Sequence, residues 1–137
     1  MSPHIEEAWR ALRLADRDIY AFHVLKNDPD CHLSVVCFHA QQAIEKSIKA
    51  VLFSRRIEFK HTHNLTELTF LLRRDGVETA PVPDDRLLRL DPFAVTFRYD
   101  DMDIELVERE ETAAWVTDIR QWAENQVGTA TKTERKA

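Results

Sequence analysis

Residues 38–52 read FHAQQAIEKSIKAVL. The stretch lies inside a longer apolar stripe of Leu33, Val36, Cys37, Ala40, Ile44, Ile48 and Val51. Those three- and four-residue steps are the period of a helix. The spacing predicts a helix capped by Asp30 and running to about Ser54. Its polar residues pose the question of what the protein does. His39, Gln42, Lys46 and Lys49 fall on one helix face, because residues three, four and seven apart are neighbours there. Gln41 and Glu45 lie beside them, with Glu45 placed to pair with Lys49. The spacing alone favours a solvated face, where each such pair contributes roughly 0.3 kcal/mol. Two adjacent glutamines and a histidine are less usual on such a face than Glu and Lys. The alternative is that they meet polar groups across a helix–helix or subunit interface.

The flanking sequence extends the helical pattern in both directions. Before it, Ile5, Trp9, Leu12, Ala15, Ile19, Phe22 and Leu25 make one buried stripe, with Ser2 as cap and Pro3 in the first turn. After it, residues 55–63 break the period and read as a loop. Asn64 and Glu67 have capping-box spacing and open a third helix that stops at Gly76. Asp84 is placed to cap a short helix reaching about Val95. Ile104, Val107, Ala114, Trp115, Ile119, Trp122 and Gln126 predict a last long helix ending at Gly128, with residues 129–137 as a disordered tail. The expected architecture is all-α: one up-and-down bundle of four to five helices over residues 1–128. Core packing accounts for at least two of Trp9, Trp115 and Trp122, with a share in an interface open to them.

Composition narrows the function classes. The chain has 137 residues, enough for one domain, with 44% hydrophobic and 31% charged residues. Its only glycines are Gly76 and Gly128, which removes Gly-rich phosphate loops and dinucleotide fingerprints. The net charge of −5 gives no general affinity for nucleic acid. Cys31 and Cys37 do not make a disulfide framework, so a reducing cytoplasm is the expected compartment. The N-terminus has no apolar signal region and no long apolar run appears, so neither a signal peptide nor a membrane contact is expected. Metal chemistry is not expected either. His32 and His39 stand about 10 Å apart along a helix, Cys31 and Cys37 are poorly placed, and His61 with His63 lacks a third ligand. No cofactor is implied.

Three motifs together resemble the HEPN domain: FHAQQAIEKSIKAVL, then HTHNLTEL at 61–68, then LDPFAVTFRYDD at 90–101. The resemblance runs from about Ala8 to Gln126. It implies a helical bundle that forms a homodimer. It also implies one of several roles: a metal-independent endoribonuclease or toxin, a partner of a small minimal nucleotidyltransferase (MNT), or a silent binding module. The ribonuclease members carry an Arg followed after four to six residues by a His, near the last long helix. The Arg supplies a fork for phosphate, and the His carries a proton near neutral pH.

In this chain the matching Arg is Arg98, but Asp103, Ile104 and Glu105 stand where the His belongs. The spacing recurs elsewhere, from Arg17 to His23, from Arg55 and Arg56 to His61, and from Arg56 to His63. Thirteen Arg and six His yield roughly two such hits by chance, so spacing alone decides little. His61 or His63 is expected to cap or orient the third helix, with a phosphate contact as the alternative. Arg98 among Asp100, Asp101 and Asp103 reads as an ion pair, with Tyr99 closing the bundle end, or else as an anion site. The acidic run from 100 to 111 repels phosphate backbones and suits a basic partner.

The reading is therefore a HEPN-like binding module, more a binder than an enzyme. His39, Gln42, Lys46, Lys49, Arg98 and Tyr99 would contact a partner, a nucleotide or RNA. The alternative is an RNA endonuclease using Arg98 and a displaced His61.

Overall fold

The computed structural model describes residues 1–77, 81–94 and 107–136. Regular structure among them is helical throughout: α1 (Pro3–Lys26), α2 (Leu33–Ser54), α3 (Leu65–Arg74), α4 (Asp84–Leu88), a 3-10 turn at Asp91–Ala94, and α5 (Arg109–Lys136). The all-α bundle read from the periodicity is the fold the chain adopts. None of these helices is long and apolar enough to cross a membrane.

The helix α2 is the central element. It packs on α1, α5, α3 and the 3-10 turn, while α1 and α5 also meet each other. Val36, Cys37, Ala40, Ile44, Ile48, Val51 and Leu52 are buried against Leu12, Phe22, Leu68, Phe93, Trp115 and Ile119. Trp115 is in the core, and Trp9 and Trp122 pack on it half-buried. The solvated face expected for α2 does not exist: none of its 22 residues is exposed. Neighbours on several sides leave it no side given over to water.

Helix ends follow the local chemistry in some places and depart from it in others. Asn64 caps α3 as expected, its Oδ1 accepting from the Glu67 N–H at 3.0 Å. The cap of α2 is His32 rather than Asp30, with the ring Nδ1 accepting from the Ser34 N–H at 3.1 Å. Ser2 sits at the N-cap position of α1, but its hydroxyl meets His4 Nδ1 at 2.9 Å and caps nothing. Pro83 takes the place expected of Asp84, whose carboxylate serves Arg73 and Thr69 on α3. The short helix stops at Leu88, and Val95 lies outside the described residues.

The largest departure is at the C-terminus. α5 does not end at Gly128, and residues 129–136 are helix rather than a disordered tail. A mid-helix glycine costs about 1 kcal/mol. Distant docking offsets it: the Trp9 indole N–H donates to Thr131 Oγ1 at 3.1 Å, and the Ser2 N–H donates to Glu134 Oε1 at 2.9 Å. Thr131 is buried there.

Two helices close in the same way but with different residues. In α3 the Gly76 N–H bonds Arg73 O and the Val77 N–H bonds Leu72 O, both at 3.0 Å, with Gly76 at φ +81°. In α2 the Arg56 N–H bonds Phe53 O at 3.1 Å and the Ile57 N–H bonds Leu52 O at 3.0 Å, with Arg56 at φ +56°. The left-handed residue of this cap is ordinarily glycine. An arginine there carries a strain of about 1–2 kcal/mol.

Candidate functional site

The polar residues of α2 form two bonded groups, each tying the helix to another element. On the α1 side, Asp18 Oδ1 lies 3.0 Å from His39 Nδ1, and Asp18 Oδ2 receives the Lys46 ammonium. On the α3 side, Gln41 is fully buried. Its Nε2 donates to the His63 carbonyl at 3.0 Å and to Glu45 Oε1 at 3.2 Å, while its Oε1 accepts from Gln42 Nε2 at 2.7 Å. Glu45, 3% exposed, is also 2.8 Å from His63 Nδ1 and 3.1 Å from Lys49 Nζ. The same ammonium stands 5.6 Å from the Phe59 ring centroid, a cation–π distance.

A buried carboxylate surrounded by donors in this way holds a loop in place. Glu45 and Gln41 grip residue 63, and the next residue caps α3. The His63 ring and carbonyl are both held by α2, one residue before the Asn64 cap of α3. His61 stays exposed, its ring 5.3 Å from that of His63. His39, Gln42, Lys46 and Lys49 are half-buried and spend their donors inside the bundle. Arg98 and Tyr99 lie outside the described residues.

Beneath this network the 3-10 turn presents Asp91 to the start of α3. Its Oδ1 accepts from the Leu65 N–H at 3.1 Å, and its Oδ2 is buried with no partner among the described residues. Burial pushes the Asp91 carboxyl above its ordinary pKa; the Leu65 N–H opposes this, and the charges of Glu67 and Glu45 add to it. A carboxyl with a raised folded pKa holds its proton better when folded. Its stabilising share is thus present below the ordinary carboxylate value of about 4 and is lost as pH rises through the raised value. Asp91→Asn keeps an acceptor for Leu65 and carries no charge to desolvate. It is expected to equal or exceed the wild type by up to about 1 kcal/mol at pH 7. Its urea midpoint should also fall less between pH 4 and pH 7. A midpoint clearly below wild type at pH 7 would count against this account.

Sequence reasoning missed Arg109, the first residue of α5. Its Nη1 donates to the carbonyls of Leu25, Lys26 and Asp28, and its Nη2 to that of Cys31 at 2.6 Å. A signal was available: a cation in the first turn opposes the helix dipole, so it needs a partner elsewhere. Nearby, burial raises the Cys37 thiol to about 12, against a smaller lowering by Arg109. Cys37 is therefore a neutral core group, not a nucleophile. Among the described residues no three His, Cys, Asp or Glu side chains converge on a metal position.

Comparison with known families places the chain. The model of the HEPN domain matches residues 5–126, nearly the whole length. Comparison with curated proteins and with solved structures found no match.

Proposed function

Since this chain belongs to the HEPN domain family, we propose that it acts by binding rather than by cutting. In this reading it is a cytoplasmic homodimer that pairs with a minimal nucleotidyltransferase, in a toxin–antitoxin-like or nucleotide-binding role. One observation carries it. All six histidines stand at or before position 63, so no Arg near the last helix is followed by a His at four to six residues. Cleavage of RNA without a metal needs a proton carrier beside the phosphate-binding Arg. Three of the six are also engaged at other tasks: His32 caps α2, His39 faces Asp18 and His63 faces Glu45. In this reading the parts of His39, Gln42, Lys46 and Lys49 that still reach the surface, and separately Arg98 and Tyr99, would offer the contact to a partner.

The alternative is an endoribonuclease using Arg98 and a displaced His61. Its support is that His61 is exposed and faces a cleft. Incubation with mixed single-stranded RNA in EDTA, beside Arg98→Ala, separates the two. No cleavage by either protein is expected. Cleavage by the wild type that disappears in the variant would overturn the binding reading. Light scattering should give twice the 16.0 kDa chain mass, and a monomer at micromolar concentration would remove the dimer from the reading.

A further inference from the structure

Beside the end of α2 lies a cleft of about 680 Å³. Its polar side is one guanidinium and two imidazoles, Arg56, His4 and His61, brought from the helix end, the start of α1 and the loop before α3. Its apolar side is Phe53, Ile57 and Phe59. Glu58 also lines it, and it lines a neighbouring cleft with Lys60 and Phe70 as well, so it stands at the border of the two.

Arg56 is placed differently from the arginine before it. Arg55 pairs with Asp75, Nε to Oδ2 at 2.9 Å. Arg56 has no carboxylate within ion-pair distance among the described residues. Its Nε lies 3.3 and 3.4 Å from the two ring nitrogens of His4. Its two terminal nitrogens donate to nothing among the described residues. It also occupies a left-handed backbone position that α3 fills with Gly76 in an otherwise matching cap. A charged residue held where glycine would be unstrained indicates that its side chain is used.

We propose that this cleft binds a phosphomonoester carried on an apolar or planar body. The terminal nitrogens of Arg56 and the His61 imidazole supply N–H donors to the tetrahedral dianion, while the His4 ring accepts from Arg56 Nε and holds the guanidinium at the cleft. Arginine suits this better than a point charge, because its donors match two phosphate oxygens at once. Phe53, Ile57 and Phe59 take the body. The volume lies within the roughly 300–1,000 Å³ of small-molecule sites. The site uses none of the residues assigned to a nucleotidyltransferase partner, so it stands or falls separately from that pairing.

Calorimetric titration of the full chain with phenyl phosphate, and separately with inorganic phosphate, tests the proposal. Phenyl phosphate should bind at least about tenfold more tightly than inorganic phosphate, because only it reaches the apolar side. Arg56→Gly should weaken phenyl phosphate at least about tenfold while keeping or raising the thermal midpoint, since glycine relieves the left-handed strain. His61→Ala changes an exposed loop residue, and it should weaken binding several-fold without a change in folding. No binding of phenyl phosphate by the wild type would overturn the proposal. So would equal affinity for inorganic phosphate, or undiminished binding in both variants. If Arg56→Gly does not fold, His61→Ala decides alone: weakened binding upholds the site and unchanged binding overturns it.

Discussion

Arg109→Ala is expected to lower the thermal midpoint by about 10 °C, the largest loss for any single surface-reaching side chain here. The reason is the number of groups that depend on it. One guanidinium satisfies carbonyls at the end of α1 (Leu25 at 3.3 Å, Lys26 at 3.0 Å) and in the following turn (Asp28 at 2.8 Å, Cys31 at 2.6 Å). The last carbonyls of a helix have no partner within it, and although Leu25 O and Asp28 O also accept from the Asp28 and Cys31 N–H groups, Arg109 is the donor to Lys26 O and Cys31 O. Bonds from a charged donor are worth about 1.5–3 kcal/mol each when fully protected. Arg109 is half-buried and water can replace part of what it does, so a total of about 3 kcal/mol is the reasonable sum. The bonds also join the first loop to the start of the last helix, positions some 80 residues apart, so the loss falls on the closed bundle and not on a local turn. Arg109→Lys should recover less than half, because an ammonium cannot serve two directions as the fork does. Circular dichroism melts of the three proteins decide it. A shift under about 3 °C for the alanine variant would mean that the carbonyls find other partners.

The parts of this fold that were legible in the sequence are those set by local period. The stripes of α1 and α2 were legible because helical residues three and four apart share a face, so the largest apolar side chains recur at that step. The Asn64 cap was legible because its partner is three residues away. What escaped was everything decided by distant neighbours. His39 and Lys46 look like solvent residues until Asp18, more than twenty positions earlier, is laid against them. Asp30 and Asp84 are good caps in isolation, but a competing N-cap at His32 and a salt bridge to Arg73 take precedence. Gly128 is a good helix stop only when nothing beyond it has anywhere to pack. Thr131 and Glu134 reach Trp9 and Ser2 at the other end of the chain, and the helix continues. Of the candidate site, the pairing of Glu45 with Lys49 was visible from the four-residue step, but the face read as His39, Gln42, Lys46 and Lys49 divides between Asp18 and the Glu45 network. The coupling of Glu45 to His63 was not visible, because a loop has no period from which to read its approach.

That coupling makes Glu45→Ala the second large effect, expected to cost about 3 kcal/mol in urea unfolding. Glu45 is 3% exposed and takes hydrogen bonds from Gln41, His63 and Lys49. Removing it leaves the Lys49 ammonium, 14% exposed, without its carboxylate. Stranding a buried charge costs more than the pair contributed when intact. The His63 ring is 45% exposed and turns to water at little cost, which keeps the estimate at the lower end of the range for buried pairs. Gln41 retains its bond to the His63 carbonyl, so the loop should loosen without detaching. Hydrogen exchange should therefore speed up over residues 57–64 more than over the middle of α2. Glu45→Gln keeps an acceptor but not the charge, and it should lose about half as much. If Glu45→Ala costs under about 1 kcal/mol and exchange is unchanged in the loop, the carboxylate is not what holds residue 63 to α2. The polar side of FHAQQAIEKSIKAVL would then have to be explained by something it binds, not by the bundle it sits in.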